Sequence, residues 1–257
     1  MKDFIPVCEP TLHGNELKYA TECIKSGWIS SSGRFIEKFE ENFSRYCNVN
    51  YGVGCSSGTS ALHLAVEALG IGKGDEVIMP TFTMIASSNA VIYAGAKPVL
   101  VDSELGTWNM DINKIEEKIT RKTKAIMVVH TYGHPVDMDK VKKIANKHGL
   151  FIIEDAAEAH GAEYKGIKVG SLGDIACFSF YANKIITTGE GGMVVTNNEK
   201  WAERAKSLRN HFFGKIRYLH DELGYNYRIT NIQAAIGLAQ MEKIGQYVNA
   251  RRKNAKS

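Results

Sequence analysis

Phe178-Ser179-Phe180-Tyr181-Ala182-Asn183-Lys184 is an apolar run that ends on a lysine, and the glycine-rich turn Thr187-Thr188-Gly189-Glu190-Gly191-Gly192 follows it closely. The run reads as a strand, so the Lys184 ammonium stands at a strand end rather than on an open helix face. Upstream, Leu150-Phe151-Ile152-Ile153-Glu154 is a second apolar strand, and it ends at Asp155. In a parallel sheet both ends open onto the carboxyl edge, where ligands of such sheets bind.

On either side of these runs, short β-rich segments alternate with longer helical patterns. The β-rich segments are 51–55, 76–79, 98–101, 125–130, 150–154, 175–180 and 192–196, and the later ones are continuously apolar, as strands covered on both faces are. Apolar residues at helical spacing occupy 59–69, 82–93, 113–119, 137–148 and 200–210. The alternation predicts an α/β protein with a largely parallel sheet. Residues 1–46 read as an arm plus a helix. Beyond Thr230, Ile232, Ala235, Ile236, Ala239, Met241 and Ile244 predict one long helix to the end of the chain. Neither an internal repeat nor a Pro/Gly/Ser-rich linker marks a domain boundary before it.

The chain has 257 residues, 44% of them hydrophobic, enough for one large core. Its 32 basic and 28 acidic residues leave a net charge of +4, and the basic ones are spread out, so no nucleic-acid footprint is expected. The one local excess, Arg251-Arg252-Lys253 with Lys256, reads as a solvated helix end. Five cysteines, odd in number and without close paired spacing, fit a reducing cytosol better than a disulfide framework or a zinc site. The opening Met1-Lys2-Asp3-Phe4-Ile5-Pro6 lacks the apolar core of a signal peptide, and no run approaches the roughly 20 apolar residues that span a bilayer. A cytoplasmic protein without a membrane partner is expected.

Gly54-Cys55-Ser56-Ser57-Gly58-Thr59-Ser60 joins the first strand to a helix, so Gly58, Thr59 and Ser60 offer backbone N–H groups and hydroxyls at a positive helix end. Alone this is ordinary capping chemistry. Together with Asp155 and Lys184 it gives three points that suit pyridoxal phosphate: a phosphate turn, a carboxylate for the pyridinium nitrogen and an amine for the aldehyde. Phe82, just after the second strand, suits stacking on the pyridine ring, with core packing as the alternative. Ser179 suits the phosphate, or else is a buried serine bonded to backbone. His160 is either a pocket residue or a satisfied structural histidine, and Trp28 stands either at the mouth of the site or in the core beneath the arm. Glu190 reads as a loop residue. His130 and His134 share a zinc-like spacing, but Gly133 and Pro135 make that segment a turn, and no metal is expected.

Gly58-Thr59-Ser60-Ala61-Leu62-His63-Leu64, Gly74-Asp75-Glu76-Val77-Ile78-Met79-Pro80, Glu154-Asp155-Ala156-Ala157-Glu158-Ala159-His160-Gly161 and the Lys184 to Gly192 segment closely resemble the DegT-type sugar-nucleotide aminotransferases. Gly27-Trp28-Ile29-Ser30-Ser31 and the segment from Leu223 to Asn231 resemble its perosamine branch most. The resemblance implies the type I aminotransferase fold, with a seven-stranded, mostly parallel sheet between helices and two shared active sites per homodimer. It makes Lys184 the Schiff-base lysine, Asp155 the pyridinium partner, and Gly58, Thr59 and Ser179 the phosphate cradle. Phe82 matches the stacking position, and Glu158 stands where many members have a glutamine near the cofactor's 3-hydroxyl. Asn226 matches a residue that reaches across the dimer to the neighbour's phosphate.

The implied substrates are glutamate and a nucleotide-linked 4-keto-6-deoxyhexose, feeding surface polysaccharide. Dehydratases that use pyridoxamine phosphate carry histidine at the position of Lys184, so lysine favours aminotransfer. A second rival is a non-catalytic relative that only binds the cofactor. Family members continue past the end of this chain into a small C-terminal domain. The expectation is therefore a cofactor-binding large domain over 1–235, with 236–257 as a helix leading toward a domain not included, fraying in its last turns.

Overall fold

The seven segments read as strands assemble into one sheet. In chain order they are β1 (Tyr51–Cys55), β2 (Glu76–Pro80), β3 (Lys97–Val101), β4 (Thr123–Val129), β5 (Phe151–Asp155), β8 (Ile175–Ser179) and β9 (Gly192–Thr196), with a two-stranded hairpin of β6 (Glu163–Tyr164) and β7 (Ile167–Lys168) between β5 and β8. The computed structural model describes residues 8–213 and 218–256; the first seven residues of the expected arm, residues 214–217 and residue 257 lie outside them. Strand order is β1-β9-β8-β5-β4-β2-β3. Strands β3, β2, β4, β5 and β8 run parallel, while β9 is antiparallel to both β8 and β1. The carboxyl ends of β1, β2, β4, β5 and β8 therefore share one edge.

Helices cover both faces of the sheet, which is why its strands lack a polar side. Val77, Ile153 and Cys177 bury into the layer formed with α3 (Gly58–Ala68), α4 (Ile85–Tyr93) and α6 (Glu199–Leu208). Their neighbours Ile78, Ile152 and Phe178 bury on the opposite side, with α2 (Arg34–Tyr46), α5 (Met138–His148), α7 (Asn231–Met241) and α8 (Ile244–Asn254). Each such side chain contributes about 1.5–3 kcal/mol on burial.

Three sequence expectations change. The first 46 residues hold two helices, α1 (Glu16–Ser26) and α2, separated at Gly27, whose φ of 74° closes α1 in the left-handed conformation glycine favours. The expected helix over 113–119 is two 3₁₀ turns, Ile112–Lys114 and Glu116–Lys118, because a segment this short gains little from helix propagation. The single helix beyond Thr230 is broken between α7 and α8, so the boundary expected at 235/236 falls inside α7. At the break Glu242 accepts from Asn15 Nδ2 at 2.7 Å and Tyr19 Oη at 2.6 Å, Lys243 Nζ donates to the His13 carbonyl at 2.6 Å, and Gly245 follows. The N-terminal segment thus holds the two residues, and glycine weakens any continuous helix.

Candidate active site

At the shared edge, the turn after β1 becomes the start of α3. Ser57 Oγ accepts from Ser60 N at 3.1 Å and Ser60 Oγ accepts from Ser57 N at 2.9 Å, a reciprocal cap. Ser60 is therefore spent on the helix start and does not offer the free donors the sequence suggested. The N–H groups of Gly58 and Thr59 remain at the positive end of α3. Ser179 lies directly against this turn: a Cβ on Gly58 would stand 2.8 Å from Ser179 Cβ, so only glycine admits the contact. Ser179 Oγ accepts from Tyr181 N at 3.3 Å.

Asp155 lies at the end of β5, 5% exposed. Ser87 Oγ in α4 donates to its Oδ2 at 2.6 Å, and Ala157 N donates to its Oδ1 at 3.2 Å. Burial raises the carboxyl above the usual aspartate range, with the Ser87 and Ala157 hydrogen bonds pulling the other way. Asp155 faces a cavity of about 260 Å³ whose walls include Phe82, Tyr132, Glu158 and Lys184. Phe82 is 40% exposed, with its ring centroid 5.6 Å from Trp108 and 6.2 Å from Tyr132, so it is a wall of the cavity rather than a core residue.

Lys184 enters the same cavity from the turn after β8, where its N–H donates to the Tyr181 carbonyl at 2.9 Å. Its Nζ is 3.4 Å from Glu158 Oε1, and Tyr132 N donates to Glu158 Oε2 at 3.1 Å. The following turn is fixed by Thr187 Oγ1, which donates to the Phe180 carbonyl at 2.8 Å and accepts from Gly189 N at 2.9 Å. Glu190 serves this loop through its carbonyl, which accepts from Thr188 Oγ1 at 2.6 Å and Gln233 Nε2 at 2.8 Å.

Behind Asp155, Glu154 is wholly buried. It pairs with His130 Nε2 at 3.0 Å and accepts from the N–H groups of Gly170, Leu172 and Gly173 at 3.0, 2.8 and 2.6 Å. Val136 N donates to His130 Nδ1 at 3.2 Å, which assigns the ring proton to Nε2. Burial pushes the Glu154 carboxyl up, but the His130 and backbone donors outweigh it and hold it below the usual range. His160 contrasts with this pair. It is 2% exposed among Phe43, Phe178 and Phe180, and its buried ring nitrogens make no close hydrogen bond among the described residues beyond the backbone interaction with Ser179. Burial, and then the Lys184 ammonium, push it down to about 3, with the Ser179 backbone opposing.

The structure thus brings Asp155, Glu158, Phe82 and Lys184 into one cavity, and sets Gly58, Thr59 and Ser179 together in a turn at the same edge. Asn226 does not line that cavity: it is exposed, its Oδ1 accepts from Arg228 Nε at 3.1 Å and Nη2 at 2.7 Å, and its neighbour Tyr227 accepts through its carbonyl from Ser56 N in the turn at 2.8 Å. Trp28 is 59% exposed, so it fills no core, and its carbonyl accepts from Asn231 Nδ2 at 2.7 Å. The basic helix end is not simply solvated, because Arg252 Nη2 donates to the Gly161 carbonyl at 2.9 Å. Sequence reasoning missed Ser87, whose only signal was Thr83 four residues earlier: Thr83 Oγ1 and Ser87 Oγ are 2.7 Å apart.

The profile of the DegT/DnrJ/EryC1/StrS aminotransferase family matches residues 10–257. GDP-perosamine synthase of Escherichia coli O157:H7 is 53% identical over 253 residues, which make up 98% of this chain and 70% of that protein. GDP-perosamine synthase of Caulobacter vibrioides is 54% identical over 248 residues, 96% of this chain and 67% of that protein. Among solved structures, the PMP form of a candidate sugar aminotransferase from Streptococcus pneumoniae superposes with a TM-score of 0.94 at 30% identity, covering 98% of this chain and 71% of that one. The fold is that of sugar aminotransferases, and the chain belongs to the DegT/DnrJ/EryC1/StrS aminotransferase family.

Proposed function

We propose that the chain binds pyridoxal phosphate through Lys184 and moves an amino group from glutamate to a nucleotide-linked 4-keto-6-deoxyhexose, working as a cytoplasmic homodimer. The observation that carries this reading is Asp155 and Lys184 on one cavity wall, at the ends of neighbouring parallel strands. The residues fit the cofactor. A buried carboxyl with raised proton affinity lacks a cation, which a protonated ring nitrogen provides, and the unbonded N–H groups at the Gly58 turn suit a phosphate. The relatives' name, GDP-perosamine synthase, favours a GDP-linked acceptor. Residues through α7 make up the cofactor-binding unit in this reading, with α8 leading toward a small domain.

Pyridoxal phosphate, when bound, supplies an aldehyde that carries the amino group and a ring that delocalises the electrons left on the donor's α-carbon. Lys184 takes the proton from that α-carbon as general base. Asp155 keeps a proton on the ring nitrogen, and Phe82 confines the ring. Glu158 holds the Lys184 ammonium in place before ligand arrives. A lysine at position 184, where the related dehydratases carry histidine, favours aminotransfer over dehydration. Borohydride reduction of the loaded protein followed by peptide mapping should place the adduct on Lys184, and mass spectrometry should detect an amino sugar made from GDP-4-keto-6-deoxymannose and glutamate. An adduct on another lysine refutes the assignment, and cofactor binding without turnover identifies a binding module.

A further inference from the structure

The segment that carries Asn226 is clamped onto the helix whose first residues form the phosphate turn. Its backbone runs between the end of α6 and that turn. Tyr225 N donates to the Leu208 carbonyl at 2.6 Å, Tyr227 N donates to the Arg209 carbonyl at 2.9 Å, and the Tyr227 carbonyl accepts from Ser56 N at 2.8 Å. Side chains alternate along such an extended run. Tyr225 and Tyr227 are half-buried and stack on each other, ring centroids 5.0 Å apart and planes 12° apart, while Asn226 between them is exposed.

His63 of α3 receives both tyrosines. It is 2% exposed, and its ring centroid lies 4.6 Å from that of Tyr225, 5.8 Å from Tyr227 and 5.7 Å from Tyr93 of α4. Its Nδ1 is 3.2 Å from Tyr227 Oη. One helical turn further on, Glu67 Oε1 accepts from Tyr225 Oη at 3.2 Å and stands 3.7 Å from His63 Nε2. The approach to the segment is held as well, because Arg204 of α6 donates to both carboxylate oxygens of Glu222 and to the Glu67 carbonyl.

We propose that His63 and Tyr227 are positioning residues for the second site of the dimer, fixing the direction in which Asn226 presents its amide to the partner's phosphate. The inference rests on the reading of Asn226 as serving a second copy. With its oxygen held by Arg228, the Asn226 amide N–H groups have no partner among the described residues. A hydrogen bond weakens steeply as it bends, so a donor at the tip of an exposed segment needs a rigid base. The aromatic clamp on α3 supplies it. Because α3 begins at Gly58 and Thr59 and carries His63 little more than a turn later, one helix takes the phosphate of its own site and aims the donor of the other.

The test separates the two chains of a dimer. Hybrids of two differently tagged chains are isolated on both tags, titrated with pyridoxal phosphate and reduced with borohydride. Mass spectrometry then quantifies the adduct on Lys184, so a Lys184→Ala chain is silent and only its partner reports. In a hybrid of Tyr227→Leu with Lys184→Ala, the reporting site is served by an intact segment, and its affinity should match that of wild type paired with Lys184→Ala. In a hybrid of wild type with a chain carrying both Tyr227→Leu and Lys184→Ala, the reporting chain is wild type, and its affinity should fall about tenfold. Tyr227→Phe and His63→Phe keep the rings and therefore the fold, and in that second arrangement each should cost several-fold. Pyridoxal, which lacks the phosphate, should load every hybrid alike. A loss in the first hybrid instead of the second assigns the clamp to its own subunit's turn and overturns the inference. An equal loss for pyridoxal marks a merely structural role and also overturns it. Asn226→Ala, put through the same two hybrids, tests the underlying reading. If it weakens the partner's site while the clamp variants do not, the inference alone fails. If it leaves the partner's site unchanged, or wild type forms no adduct on Lys184, that reading or the proposed function fails and the inference falls with it.

Discussion

Ser87 Oγ donates to Asp155 Oδ2 at 2.6 Å, so a helix on one face of the sheet holds the carboxylate that ends its central strand. The bond favours the ionised carboxylate against the desolvation that raises its proton affinity. Ser87→Ala should raise that affinity further. The pH above which pyridoxal phosphate binds should then move upward, with several-fold weaker binding, about 1 kcal/mol, just above the usual aspartate range. Cofactor titration by absorbance across pH checks this, and an unmoved pH profile would count against any role for Ser87.

Asp155→Asn separates stability from function. Because burial raises the carboxyl in the folded state, its contribution to stability is full below the unfolded aspartate range and is lost as pH rises through the folded value. At neutral pH the unloaded wild type therefore carries a buried charge without a cation. Unloaded Asp155→Asn should melt a few degrees higher at pH 7, on the order of 1 kcal/mol, and the gain should vanish at low pH. The loaded variant should lose most half-transfer with glutamate. A lower melting temperature for the variant at pH 7 would show that Asp155 is stabilising.

Glu154 has the opposite sign. Its carboxyl lies below the usual range in the fold, so its contribution is present above the unfolded glutamate range and is lost as pH falls through the folded value. Glu154→Gln turns an amide toward the N–H groups of Gly170, Leu172 and Gly173, and leaves at least one of them unpaired. Denaturant unfolding at pH 7 should register a loss of about 2–4 kcal/mol. The wild-type advantage should shrink toward acid, and a loss under 1 kcal/mol at pH 7 would mean that solvent reaches this group.

Much of this was legible in the chain because the informative residues follow runs long enough to read as strands. Phe178 to Lys184 and Leu150 to Asp155 place an amine and a carboxylate at one edge once the sheet is parallel, and Lys184 and Asp155 do share a cavity. What resisted reading depends on long-range partners. Neither Ser87 nor the His130–Glu154 pair has a local pattern that announces which side chain lies across the layer. Ser60 looked free because its cap with Ser57 is invisible until the turn is built. The break at Glu242-Lys243 arises from Asn15, Tyr19 and His13, more than two hundred residues away in sequence.

Gly58→Ala tests the phosphate turn. The new Cβ would stand 2.8 Å from Ser179 Cβ, at the first residue of α3. Alanine favours the helix, so the fold should survive, while the turn and Ser179 must part by several tenths of an ångström. Pyridoxal phosphate affinity should fall about tenfold or more, whereas pyridoxal, which lacks the phosphate, should bind wild type and variant alike. Equal losses for both ligands would assign the residue to packing.

Asn226 bears on the number of subunits in a working site. It is exposed, it is absent from the walls of the cavity that holds Lys184, and its side-chain oxygen is clasped by Arg228, two residues on. With its oxygen engaged by Arg228, its exposed amide N–H groups have no partner among the described residues, which fits service to the phosphate turn of a second copy. If so, Lys184→Ala chains and Asn226→Ala chains are each inactive alone but complement when mixed, because a hybrid dimer pairs the intact Lys184 of one chain with the intact Asn226 of the other. Random exchange of subunits in a two-fold dimer makes half of the dimers hybrid with one intact site each, so activity should return to about a quarter of wild type. Sedimentation confirms the dimer and turnover reads the rescue. Dimeric hybrids without activity would mean that Asn226 serves its own subunit or no site at all.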